Sequence, residues 1–112
     1  MLWFISCTAK PNIQAVRESA GHAHKEYLDA RLREGKLLLT GSAFGHDAKT
    51  RIGSMFIVNL PSFAEVKAFY EAEPFFMAGV YSDVTITAVK KSRWNPAAAE
   101  GAEGRGDGPA TV

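Results

Sequence analysis

At 112 residues the chain is long enough for one hydrophobic core and too short for two, which excludes a multidomain enzyme. A hydrophobic fraction of 46% and a charged fraction of 22% are those of an ordinary globular domain, not of a disordered or fibrous chain. Thirteen Lys plus Arg against twelve Asp plus Glu leave a formal charge of +1, so no net field draws nucleic acid or an anionic membrane, and neither is expected as a partner. A single cysteine, Cys7, cannot close an intramolecular disulfide, and the opening MLWFISCTA lacks the basic and long apolar regions of a signal peptide; the expected compartment is the cytoplasm. No run of about 18 apolar residues occurs, so no membrane span is expected.

Leu2 to Thr8 is rich in aromatic and β-branched residues and stops at Lys10-Pro11-Asn12, a strand followed by a turn. From Ile13 the apolar positions Val16, Ala20, Ala23, Tyr27 and Leu28 follow one helical face until Gly35, with Gly21 a point of weakness or bending. Leu37 to Thr40 reads as a short buried strand, the glycine-containing 41–47 stretch as a loop or irregular strand end, and Ser54 to Leu60 as a further strand. Ser62 with Glu65 three residues later is a capping box opening a second helix, which must stop before Pro74. Asp83 to Val89 alternates as a last strand, and from Ala97 the chain carries almost nothing to bury.

The order β-α-β-β-α-β is the split βαβ pattern of an α+β, ferredoxin-like sandwich, with two helices on one face of a four-stranded antiparallel sheet. The expected division is a folded domain over 1–94 and a flexible Ala/Gly-rich tail over 95–112. The first strand offers Trp3, Ile5 and Cys7 to one side and Leu2 and Phe4 to the other, and the third is apolar on both sides through Met55, Ile57, Phe56 and Val58. A sheet apolar on both faces needs cover on the helix-free face, and a symmetric homodimer supplies it.

Candidate chemistry concentrates at His24. At 100° per residue from Ile13, His24 falls near 20° and Leu28 near 60°, whereas His22 falls near 180°. His24 therefore faces the sheet and His22 faces solvent, and the two cannot share a metal ion; no metal site is expected. Arg17 and Arg31 lie seven residues to either side of His24, along nearly one line of the helix. The alternative for His24 is a core histidine bonded to backbone. Glu73, held out of the second helix by Pro74 and followed by Phe75 and Phe76, could reach into a pocket or be a solvated charge at a helix end. Ser42 is a candidate for contacting substrate, and Cys7 reads as a small core residue, not a nucleophile.

Arg17, His24, the run Glu34-Gly35-Lys36-Leu37-Leu38-Leu39-Thr40-Gly41, then Glu73-Pro74-Phe75 and Ala78-Gly79-Val80-Tyr81, taken together in order and spacing over Met1 to Arg93, resemble the YciI-like (YCII-related) family of small bacterial proteins. The resemblance implies a ferredoxin-like fold whose protomers pair sheet to sheet as a dimeric α/β barrel. It also implies an active-site pair of a first-helix histidine, here His24, and an aspartate before a proline, here replaced by the longer Glu73. Gly21-His22 stands where the family often has arginine-proline, and Ser42 where it often has proline, so pocket shape is expected to differ.

On this reading the protein is a cofactor-free enzyme of lyase, isomerase or hydrolase type. His24 moves a proton and Glu73 orients the imidazole. Arg17 binds a carboxylate or phenolate of a small-molecule substrate, and Trp3, Phe44, Phe75 and Phe76 form an apolar wall. The alternative is a non-catalytic, ligand-binding or stress-associated dimeric module, because a fold does not fix a function.

Overall fold

The protein is described by a computed structural model over residues 1–100 and Ala102. Its elements are strand β1 (Leu2–Ala9), helix α1 (Gln14–Arg33), strands β2 (Leu37–Phe44) and β3 (Arg51–Asn59), helices α2 (Phe63–Ala72) and α3 (Pro74–Met77), strand β4 (Tyr81–Val89) and a 3₁₀ turn, Pro96–Ala99. The strands form one sheet in the order β2-β3-β1-β4 with every neighbour antiparallel, the ferredoxin-like arrangement expected from the element order.

Alternation along β1 and β3 sends Ile5, Cys7, Phe56 and Val58 beneath the helices, where Leu28, Leu37, Val66, Phe69 and Phe75 join them in the core. Each fully buried Leu, Ile or Phe stabilises the fold by roughly 1.5–3 kcal/mol before entropy is charged against it. Leu2, Phe4, Ile57, Thr87 and Val89 take the opposite face and line an open groove of about 390 Å³, closed at one end by the 90–94 segment and Trp94. The sheet thus keeps an apolar face that no helix covers.

Tertiary pairing lengthens what local sequence proposed. Gly21 does not interrupt α1, which runs unbroken for 20 residues. The glycine-containing stretch after Thr40 is strand to Phe44, because Gly41 to Phe44 each find a partner on β3, which starts at Arg51 and not at Ser54. β4 likewise begins at Tyr81, paired with Ala9, and not at Asp83. Backbone hydrogen bonds to a neighbouring strand override weak local propensity. Ser62 caps α2 by accepting the Glu65 N–H at 3.3 Å, one half of the expected box. Of the expected tail, Pro96–Ala99 is an exposed turn, and residues 101 and 103–112 lie outside the described residues.

The β2–β3 connection is tied by Asp47, whose carboxylate accepts the Thr50 hydroxyl at 2.6 Å and the N–H groups of Lys49 and Thr50 at 3.0 Å. The Thr50 hydroxyl first, and these N–H groups after it, hold the Asp47 carboxyl down at about 2 from an ordinary 3.8. The loop's support is therefore whole above the ordinary value and is lost as pH falls toward 2.

Two glycines separate close approach from open space. A Cβ at Gly53 would sit 1.9 Å from the Cys7 carbonyl oxygen, an atom fixed in the central strand. A Cβ at Gly21 would meet nothing within 4 Å. Gly53→Ala is therefore expected to cost about 3 kcal/mol or more, and Gly21→Ala to add about 0.5–1 kcal/mol; urea unfolding of the two variants checks both signs.

Candidate active site

The break between α2 and α3 builds the site. Pro74 forbids helical backbone at Glu73, which is extended (φ −71, ψ 126), and then serves as the first residue of α3. Glu73 is thus the C-cap of one helix and the N-cap of the next. Its Oε1 accepts the Phe75 N–H at 3.1 Å and its Oε2 the Phe76 N–H at 3.2 Å. The short helix closes at Gly79 (φ +79), where the Gly79 N–H reaches the Phe76 carbonyl and the Val80 N–H the Phe75 carbonyl. That left-handed residue suits glycine and turns the chain straight into β4.

The same Glu73 Oε1 meets Nδ1 of His24 in a buried hydrogen bond. His24 is 0% exposed and Glu73 1%, and the imidazole lies flat on the Phe75 ring with centroids 3.7 Å apart and planes 6° from parallel. Glu73 therefore holds three donors, and the sandwich of Phe75 fixes the imidazole's plane. An imidazole donating from Nδ1 presents its other nitrogen, Nε2, as the available lone pair, and Nε2 is buried without a partner. Helical phase assigned His24 and His22 to opposite surfaces; the side chain of His22 is 86% exposed and pairs with Glu26 at 3.0 Å.

Arg17 joins this group: its guanidinium carbon is 5.5 Å from the centre of the Phe75 ring. Arg31, on the same helical line, does not. It lies over Tyr27 and pairs with Glu34 at 2.8 Å, toward the helix's far end. Trp3 is also placed elsewhere, its indole N–H donating to the Leu60 carbonyl at 3.0 Å beside Phe63. Phe76 packs edge-on against Tyr70, 5.0 Å between centroids. Ser42 and Phe44 lie on the outer strand β2, paired with Ser54 and Arg51 of β3, and Phe44 is left exposed.

Three polar residues of β3 and β4 carry no sequence signal of their own: Ser54, Tyr81 and Arg51. The hydroxyls of Ser54 and Tyr81 are buried and make no hydrogen bond of normal geometry. Burial, reinforced by the Glu73 charge and opposed by Ser54, pushes the Tyr81 hydroxyl's pKa up. Burial and then the Glu73 charge lift the Cys7 thiol from its ordinary 9.0 to about 12. Cys7 and Tyr81 pack with Glu73, Phe69 and Phe76 around a gap too small to hold a water molecule. Tyr81 belongs to the Ala78–Tyr81 stretch quoted above for its resemblance, and its inward turn is set by a sheet irregularity that residue types do not announce.

A ferredoxin-like sandwich with a buried histidine–carboxylate pair under its helices is the class these features define. The chain belongs to the YCII-related domain family, whose pattern it matches over residues 1–90. Among solved structures it is similar to 5-chloro-2-hydroxyhydroquinone dehydrochlorinase (TftG) from Burkholderia phenoliruptrix AC1100 in complex with 2,5-dihydroxybenzoquinone, at 31% identity and a TM-score of 0.68, over 80% of this chain and 94% of that one. An antibiotic biosynthesis monooxygenase shares the fold at 17% identity and a TM-score of 0.50, over 83% of this chain and 100% of that one. A search of curated proteins gave no significant match. No described helix is long and apolar enough to cross a membrane.

Removing the carboxylate strands three donors, two of them buried, so Glu73→Ala is expected to destabilise the protein by about 3 kcal/mol in urea unfolding. The Cys7 thiol should react about 100-fold or more slowly with an aromatic disulfide at pH 8 in the folded than in the unfolded chain. Because the native state holds that proton more tightly, the thiol's contribution to stability is whole below pH 9.0 and declines as pH rises toward about 12, which alkaline unfolding curves of wild type and Cys7→Ala resolve.

Proposed function

We propose that the protein is a small-molecule enzyme in which His24 is the acid–base residue and Glu73 positions it. The observation that carries this reading is the buried pair itself: Nδ1 committed to a carboxylate, Nε2 without a partner and the ring immobilised on Phe75. In such a geometry Nε2 takes a proton from substrate, Glu73 stabilises the imidazolium so formed, and the proton is then returned to product or leaving group. Elimination is the favoured reaction class, supported by the 31% identity to a dehydrochlorinase. A C–H or O–H bond of the substrate breaks toward Nε2, its electron pair enters a new π bond, and the leaving group departs as an anion with its own bonding pair. Arg17 contacts the acidic group of the substrate, with Ser42, Phe44 and Phe75 as further contacts.

One observation favours a second reading, a ligand-binding module without turnover: His24 is 0% exposed, so substrate meets Nε2 only when neighbouring side chains move aside. The two readings part on one residue. Screened against small carboxylates, lactones and halogenated phenols, the enzyme reading expects His24→Ala to lower turnover about 100-fold or more. Ligand binding that persists in His24→Ala with no turnover in either protein establishes the binding module instead.

The uncovered sheet face belongs to the same proposal. Phe4, Leu39, Val89 and Trp94 are each more than a third exposed, and Leu39 pairs with Ile57 on the groove face. A second copy of the chain pairing sheet to sheet buries them. Sedimentation velocity at micromolar concentration is expected to show a dimer that high salt does not dissociate, since apolar burial is not screened.

A further inference from the structure

Alternation places Ser54, Phe56 and Val58 of β3 under the helices and Met55 and Ile57 on the open face, so an unbroken strand would turn Arg51 to the open face as well. The strand is not unbroken. Ala43 pairs with Gly53 but Phe44 pairs with Arg51, which leaves Ile52 as an extra residue and reverses the alternation beyond it. β4 repeats the device. Thr8 pairs with Asp83 but Ala9 pairs with Tyr81, leaving Ser82 extra, and Tyr81 turns inward to 8% exposure. Both bulges lie at the end of the sheet where β1 runs out and α1 begins, the end that holds Arg17.

The bulges thereby turn Arg51 and Tyr81 to the helix-covered face of the sheet, the face that also holds His24. Burial and then the Arg17 charge lower the Arg51 pKa, and Tyr81 acts on it in the opposite direction, so the two guanidiniums and the phenol are electrostatic neighbours. Neither arginine has an ion-pair partner among the described residues. Like charges held together without an ion-pair partner repel, and a bound anion relieves that repulsion through charge-assisted hydrogen bonds. Ser54 Oγ and Tyr81 OH, buried neighbours that make no hydrogen bond of normal geometry, add two hydroxyl donors, and His24 Nε2 is likewise buried without a partner.

We propose that Arg17, Arg51, Tyr81 and Ser54 form an anion-binding half of the His24 site, built by the two bulges, and that its ligands are small planar oxyanions already ionised at neutral pH. The proposal rests on the acid–base reading of His24 only for its catalytic consequence: an oxyanion held there sets its ring beside the imidazole.

Calorimetric titration with 2,5-dihydroxybenzoquinone, an acidic quinone that is anionic at neutral pH, and with hydroquinone, a neutral ring of similar size, tests it. Wild type is expected to bind the anion at least about 10-fold more tightly than the neutral ring. Arg51→Met should weaken anion binding about 10-fold and leave hydroquinone within about twofold, Arg51→Lys should restore part of the loss, and Tyr81→Phe should cost a few-fold. Arg51 is solvent-accessible, so both replacements keep the core, and matched thermal melts verify it. Equal anion affinity in wild type and Arg51→Met, equal losses for both probes, or no binding by wild type overturns the proposal. Turnover separates it from the parent reading. Anion binding that depends on Arg51 while His24→Ala keeps full turnover leaves the subsite standing and removes the acid–base role. Turnover that needs His24 while anion affinity ignores Arg51 does the reverse.

Discussion

Taking a carboxylate out of water costs several kcal/mol unless its oxygens are given donors, and the structure around Glu73 is organised by that requirement. Two donors come from the backbone N–H groups of Phe75 and Phe76, which exist as free donors only because a new helix starts there. The third is the Nδ1 group of His24, brought from a different helix. Helix geometry, side-chain charge and the imidazole's orientation are thus solved together. Pro74 is the residue that permits it, by ending α2 and supplying an α3 start that needs no N–H of its own.

Such a pair is weak evidence for stability, because well-packed apolar residues in its place would hold a core as well or better. Its physical consequence is elsewhere. The ring is held flat against Phe75, one nitrogen is committed, and the other faces a protein interior in which electrostatic interactions are strong. The Glu73 charge reaches outward too, raising the Cys7 and Tyr81 pKa values beyond what burial does. A thiol and a phenol within that field stay protonated, so they are available as donors and not as nucleophiles.

The sheet has two distinct jobs. Its middle, between β1 and β3, is regular and packs the core under α1 and α2, while the end near Ala9, Arg51 and Tyr81 is irregular and aims side chains. The fold itself is shared with an antibiotic biosynthesis monooxygenase at only 17% identity, so the frame tolerates replacement of most of the side chains it carries.

Much of this was legible from residue order. The β-α-β-β-α-β pattern, the stop at Pro74, the Ser62 cap, and the inward phase of His24 against the outward phase of His22 all follow from local rules: period 3.6 or 2, a proline's fixed φ, a serine's side-chain acceptor. Strand ends at Phe44, Arg51 and Tyr81 were not legible, because backbone pairing with another strand, and not local propensity, extends them. Nor could helical phase say that Arg17 reaches Phe75 while Arg31, on the same line, turns to Glu34: the choice depends on which neighbours each end of α1 meets. The sequence by itself determined which face each periodic residue takes and where the helices must break. Tertiary structure alone decided that Glu73 meets His24, and that single extra residues in β3 and β4 turn Arg51 and Tyr81 to the helix-covered face, because contacts between distant segments and reversals of strand alternation depend on three-dimensional register, which no local pattern encodes.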